Sequence, residues 1–233
     1  YSNTTRYAFN RFDDINADGL QDIVIEKKIY EKDISDGEQQ ILVLFGQYKA
    51  HKQLSFELGN STSITHKGEL IEYGFADFNG DTLKDLYLLG ADLDASSVVS
   101  ALWGGSFTVD INIYKLDHKK GFSKKPDVSK ETEFIIDMDQ IVFGAMVHIA
   151  DIDGDTRSDL LLQSDDNELA IYSGNSKKVL TKRSQKISID LPTDPNLINI
   201  VKLKQDAQHK VLIRQTLKNS QIKFTLVDHG NPL

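Results

Sequence analysis

The sequence predicts an all-β chain built from repeated four-stranded sheets, and three observations predict it. A nine-residue acidic stretch occurs three times in one register. Each copy runs straight into a short apolar segment of strand length: IVIE, LYLL or LLLQ. No long stretch carries apolar residues at the 3.6-residue spacing of a capped helix. Self-similarity of this kind marks repeat architectures, in which each unit buries its apolar face against the next.

The first copy is Asp14-Ile15-Asn16-Ala17-Asp18-Gly19-Leu20-Gln21-Asp22. The second is Asp77-Phe78-Asn79-Gly80-Asp81-Thr82-Leu83-Lys84-Asp85. The third is Asp151-Ile152-Asp153-Gly154-Asp155-Thr156-Arg157-Ser158-Asp159. Oxygen-bearing side chains stand at loop positions 1, 3, 5 and 9 each time, and positions 2 and 10 are apolar. Gly19 is at position 6, whereas Gly80 and Gly154 are at position 4, which predicts loops that differ in their dihedral angles. A fourth stretch, Lys202-Leu203-Lys204-Gln205-Asp206-Ala207-Gln208-His209-Lys210, keeps the apolar pattern with lysine at positions 1, 3 and 9. A lysine ammonium would supply there the positive charge that a cation supplies elsewhere.

Strands are expected around each loop. The first unit has 6–13, 22–28, 41–46 and 53–58; the second has 71–76, 85–90, 98–104 and 108–116. The third has 142–150, 159–163, 168–173 and 186–190; the fourth has 197–203, 210–216 and 221–227, with no fourth strand to follow. Each unit reads strand, acidic loop, strand, strand, strand. Sheets of this kind fit the blades of a β-propeller, which protects its edges by radial packing. The expected domain is one array over 1–233, with repeats 6–58, 71–116, 142–190 and 197–227 and the last degenerate and incomplete. Four blades is the lower limit of a closed ring, so the chain is read as a partial propeller, an excised or processed piece that begins at Tyr1.

The spacing has a chemical reason. Calcium takes six to eight oxygens at about 2.3–2.6 Å. Carboxylates at alternate positions of a tight loop converge on one centre. Position 7 adds a backbone carbonyl, from Leu20, Leu83 or Arg157, and position 9 closes the sphere. The expected ligands are therefore Asp14, Asn16, Asp18, Leu20 and Asp22; Asp77, Asn79, Asp81, Leu83 and Asp85; and Asp151, Asp153, Asp155, Arg157 and Asp159. Three Ca²⁺ ions would offset ten aspartates that otherwise repel one another at short range. Magnesium is disfavoured by its stricter octahedron. An EF-hand is excluded, since position 12 is Ile25, Leu88 or Leu162 where that motif needs glutamate.

Composition narrows the class further. The chain has no cysteine, which excludes disulfides and thiolate metal sites. Net charge is -8 and uneven, with 31 Asp/Glu against 16 Lys/Arg over 1–176 and 4 against 11 over 177–233. The acidic excess argues against nucleic acid as a partner. No apolar run is long enough for a membrane-spanning helix.

The loops resemble FG-GAP/VCBS repeats, the calcium-binding blades of integrin α-subunit propellers and of many bacterial surface and secreted proteins. The first copy matches that pattern at Asp14, Asn16, Asp18, Gly19 and Asp22; the others carry Thr82 and Thr156 at the usual glycine. Tyr73-Gly74-Phe75-Ala76-Asp77 resembles the Phe-Gly part, and Phe45-Gly46 sits where a later blade strand would turn. The resemblance implies a larger propeller, often of seven blades, in an extracellular, cell-surface or periplasmic setting where abundant calcium fills weak sites. It implies binding and scaffolding instead of catalysis.

The sequence offers no catalytic constellation. The six histidines are not spaced as a zinc motif, and no nucleophile elbow or nucleotide-binding glycine pattern appears. His148 reads as a satisfied core histidine and Trp103 as sheet core. Residues 117–134 read as an irregular charged insertion. Asn3 and Asn60 stand in N-x-Ser/Thr sequons. Two function classes follow. One is a non-catalytic, calcium-stabilised adhesion or assembly module with a protein or glycan ligand, completed by missing blades or a partner chain. The other is the carbohydrate-binding or scaffold propeller of a larger secreted enzyme or toxin.

Overall fold

The computed structural model describes residues 4–30, 38–91, 105–139, 141–204, 206–217, 221–228 and 231–232. Among them the fold is all-β and antiparallel, with short 3-10 turns as its only helical segments. Strands β1 (Thr4–Asp13), β2 (Asp22–Tyr30), β3 (Glu38–Tyr48) and β4 (Leu54–Lys67) form the first sheet in sequence order. Strands β5 (Glu69–Ala76), β6 (Asp85–Ala91) and β7 (Ser106–Tyr114) lead to a small hairpin, β8 (Leu116–Asp117) and β9 (Gly121–Phe122). Then come β10 (Val128–Asp137) and β11 (Val142–Ala145), and the second sheet runs β11-β10-β7-β6-β5.

The third sheet contains β12 (Val147–Ala150), β13 (Asp159–Asp165), β14 (Glu168–Tyr172) and, after the hairpin of β15 (Gly174–Asn175) and β16 (Val179–Leu180), β17 (Gln185–Ser188). The fourth contains β18 (Ile198–Val201), β19 (Lys210–Thr216), β20 (Ile222–Asp228) and β21 (Asn231–Pro232). In every sheet the acidic or lysine loop joins the first two strands in sequence. Strand β6, DLYLLGA, and the first four residues of β13, DLLL, are almost wholly buried, because both faces are covered there.

Two compact units divide the chain. One comprises Tyr1–Asp77, Asp81–Val98 and Val109–Lys130; the other comprises Phe78–Gly80, Val99–Thr108 and Glu131–Leu233. In the first unit Val24, Ile41 and Val43 of the first sheet pack with Leu86, Leu88, Tyr114 and Phe122. In the second unit Leu161, Leu169 and Ile171 of the third sheet pack with Ile198, Val211 and Ile213 of the fourth. Burying these branched side chains between sheets is the main favourable term for each unit, at about 1.5–3 kcal/mol per fully buried residue.

Several expectations need correction. The strand expected at 98–104 lies outside the described residues, as does Trp103. Among the described residues, the segment expected as the fourth strand of the second unit, 108–116, lies in β7 and pairs directly with β6, in third place in the sheet. The next described strand is β10, which begins inside the stretch read as an irregular insertion and runs three residues beyond it. The period-2 signal is present in VSKETEFIID, but Lys130 and Thr132 occupy the inner face, and their polarity hides the alternation. Earlier in the same stretch, the β8–β9 hairpin is anchored by buried Leu116 and Phe122. Phe122 also donates its N–H to Thr62 Oγ1 at 2.9 Å.

The strand expected over 142–150 splits at Met146. Its first half pairs with β10 and its second with β13. Met146 itself is buried in the second unit, and its carbonyl accepts from Gln163 N–H. The fourth sheet also gains a strand that the sequence reading omitted. The two residues of β21 pair with Val227 and Asp228, a length too short to leave a periodic signal.

Candidate metal centre

The three acidic loops share one backbone conformation. Positions 4 and 6 lie at positive φ in every copy: Ala17 and Gly19 at 56° and 82°, Gly80 and Thr82 at 76° and 72°, Gly154 and Thr156 at 82° and 74°. The expected difference in dihedral angles is therefore wrong. Each loop needs two left-handed residues, and each sequence supplies glycine at only one of them. The other is filled by alanine or by a β-branched threonine, which adopts this region at a cost of about 1–3 kcal/mol.

Hydrogen bonds repeat with the dihedrals. The position-6 amide donates to the position-1 carboxylate at 3.0 Å in the first loop, 2.8 Å in the second and 3.0 Å in the third. The position-7 amide donates to the position-5 carboxylate, from Leu20 to Asp18, Leu83 to Asp81 and Arg157 to Asp155. These bonds fix the orientation of the position-1 and position-5 carboxylates within each loop.

Position 9 plays a part that the spacing alone did not reveal. Asp22, Asp85 and Asp159 are fully buried. Asp22 accepts from Ile15 N–H at 2.8 Å and from Gly46 N–H at 2.9 Å. Asp159 accepts from Ile152 at 2.7 Å, Asp153 at 3.3 Å and Gly174 at 2.8 Å. Asp85 accepts from Leu116 at 2.9 Å. In each copy the carboxylate thus fastens the loop to the end of the third strand or to the chain just beyond it. Phe45-Gly46 was the visible signal. A Cβ at Gly46 would fall 2.4 Å from Gln21 O, so only glycine lets the two segments meet.

Burial pushes the Asp22 and Asp159 carboxyls above the ordinary value. Their backbone donors oppose the shift, and the charges of neighbouring Asp18 and Asp153 add to it. A cation at either loop would relieve both the desolvation and the repulsion.

In the third loop the structure brings three of the predicted ligands together. Ligand oxygens of Asp151, Asp153 and Asp159 all lie within 4.8 Å of one another. Two oxygens on one calcium are at most roughly 4.6–5.2 Å apart, twice the bond length, so this triad fits one ion. Asp155 is turned to another use, as an ion pair with Arg157, whose Nε also donates to Gly174 O at 3.0 Å. Asp81 is similarly engaged by Lys115 Nζ at 3.2 Å, and Asp18 Oδ2 accepts from Asn16 Nδ2 at 3.0 Å. Asn79 and Leu83 are buried within the second loop, while Asp14 and Asn16 cradle amides in the first.

The lysine loop keeps part of this plan. Lys210, at position 9, is buried like the aspartates it replaces, and its Nζ lies 3.4 Å from Asp206 Oδ2. Leu203 departs from it. The residue at position 2 is fully or almost fully buried as Ile15, Phe78 and Ile152, whereas Leu203 is 46% exposed.

His148 is only half satisfied. One ring nitrogen is bonded to the Ile198 backbone, and Nε2 is buried with no partner among the described residues. Burial holds its pKa below the ordinary 6.5. Asn60 spends its side-chain amide on Phe45 O at 3.2 Å. A cavity of about 740 Å³ in the second unit is lined by Glu133, Asp137, Asp139 and Asp166 with Ile135 and Leu191, and no loop residue borders it. No helix among the described residues is long and apolar enough to cross a membrane. No protein-family model and no curated protein matches the chain.

Proposed function

We propose that this chain is a non-catalytic, calcium-stabilised interaction module whose four sheets are propeller blades, working in adhesion or assembly outside the cell. The observation that carries the reading is the third loop, where Asp151, Asp153 and Asp159 set their oxygens within the span of one calcium ion. The shared dihedrals of the three loops extend the reading to the first two. Calcium would be held by the position 1, 3 and 9 side chains and the position-7 carbonyl, and its charge would stabilise the buried position-9 carboxylate. The loops brace the scaffold. A protein or glycan ligand would meet the sheets or the other connections, where binding residues concentrate.

Thermal melts in calcium and in EDTA test the metal, with elemental analysis of the dialysed protein. Saturation at about a hundred times the dissociation constant adds roughly 2.7 kcal/mol per site. Asp153→Ala is expected to remove the contribution of the third site alone. An identical melt in both buffers, with no calcium retained, would reject the reading.

A further inference from the structure

Position 5 is where the three acidic loops part company. In every copy one oxygen of its aspartate accepts from the position-7 amide: Asp18 Oδ1 from Leu20 at 2.8 Å, Asp81 Oδ1 from Leu83 at 3.1 Å and Asp155 Oδ1 from Arg157 at 2.9 Å. The other oxygen, Oδ2, meets a different group each time. In the first loop it accepts from the neutral side-chain amide of Asn16 at 3.0 Å. In the second it lies 3.2 Å from the ammonium of Lys115, a residue outside the loop. In the third it pairs with the guanidinium of Arg157, inside the loop itself. The lysine loop ends the series: Asp206, also at position 5, sets its Oδ2 3.4 Å from Lys210 Nζ.

Arg157 is built into its place. Its Nε donates to Gly174 O at 3.0 Å. A Cβ at Gly174 would fall 2.6 Å from Arg157 Cβ, and one at Gly80 would fall 3.2 Å from Arg157 Cγ. The arginine stem therefore uses room that two glycines leave. Its charge also has a counterpart in the loop. The third loop carries Asp153 at position 3, where the others carry Asn16 and Asn79. Arg157 offsets that additional carboxylate and brings the third loop back to the net charge of the first.

We propose that Arg157 is a resident cation of the third loop, which calcium must displace from Asp155, and that it thereby sets the affinity of that site. The proposal rests on the calcium reading above. Ligand charge and rigidity tune the affinity of a calcium loop. Asp155 Oδ2 serves either the guanidinium or the ion, because two cations at one oxygen repel each other. The cost of parting Asp155 from Arg157 is therefore taken from the free energy of calcium binding. Lys115 acts in the same way on Asp81, and more weakly, since lysine presents a point charge on a flexible stem. The first loop has only a neutral amide to release.

Calcium titration followed by proton–nitrogen correlation NMR tests it. The position-6 amides of Gly19, Thr82 and Thr156 each donate to the position-1 carboxylate of their own loop, so they report the three loops separately. Arg157→Leu places at position 7 the residue that the other two loops carry, and it keeps the backbone carbonyl. It is expected to lower the calcium midpoint read at Thr156 by about fivefold and to leave that at Gly19 unmoved. Lys115→Met is expected to lower the midpoint at Thr82 by about twofold. In EDTA, Arg157→Leu should melt at a lower temperature than the parent protein, because the ion pair and the bond to Gly174 are lost. Tighter calcium binding together with a weaker metal-free fold marks a competing cation. A residue that only braced the loop would weaken both when removed. A Thr156 midpoint that is unchanged or raised in Arg157→Leu overturns the proposal and leaves the calcium reading standing. Calcium that shifts none of the three amides rejects the calcium reading itself, and the proposal with it.

Discussion

The third and fourth loops are nine-residue loops within one compact unit, and they solve the same problem with opposite charges. In the third, a buried carboxylate at position 9 gathers three backbone amides and stands within ligand distance of two more aspartates. In the fourth, the buried group at position 9 is Lys210, which turns to Asp206 within the loop. Position 9 is therefore an architectural position first. What it demands is a buried charge with its partners at hand, and either sign fulfils it. The lysine loop supplies its own ammonium beside Asp206.

The sharpest way to break this comparison is to remove the position-9 charge on each side. Asp159→Ala leaves three buried amide donors without an acceptor and is expected to lower stability by about 3 kcal/mol or more in EDTA, read by urea unfolding. Lys210→Met keeps most of the packing and removes the ion pair with partly exposed Asp206, so about 1–2 kcal/mol is expected. Equal losses at the two positions would mean that both loops depend on charge alone, and the architectural role of Asp159 would fall.

A smaller effect sharpens the shared loop conformation. Thr82→Gly and Thr156→Gly remove a β-branched residue from the left-handed region and are each expected to stabilise the apo protein by about 1 kcal/mol. Gly19→Ala should destabilise by a similar amount. Thermal melts in EDTA decide this, and a destabilising Thr82→Gly would show that the threonine side chain makes a compensating contact.

The smallest effect separates the rest of the second unit from its loops. The pKa of His148 is depressed in the folded protein, so the unfolded chain binds more protons below the ordinary 6.5. Its contribution is intact above that value and is lost as the pH falls through it toward the depressed folded pKa. Urea midpoints of His148→Gln and the parent protein should therefore converge on acidification. A constant difference between them would assign the acid sensitivity to another group.

The loops were legible because one pattern of residue type and spacing recurs three times in the sequence. Positions 1, 3, 5 and 9 were read correctly as a recurring pattern, and most of the strands beside them followed from apolar runs. β10 was not legible as a strand. Lys130 and Thr132 face inward there, and a polar residue on an inner face looks like loop in one dimension. The division of 142–150 between two sheets was equally hidden, since its apolar character is continuous while its partners change at Met146.

The sequence by itself determined an all-β chain with three equivalent acidic loops and a fourth recast in lysine. That much follows from local rules of spacing and alternation. Tertiary structure decided what the aspartates at position 9 do, because their amide partners Gly46, Leu116 and Gly174 lie 24, 31 and 15 residues away. It also decided which loops share a conformation, since Ala17, Thr82 and Thr156 adopt positive φ against the preference of the residues themselves. A local pattern names the acidic groups that recur. Only the folded chain says which of them are already holding the scaffold.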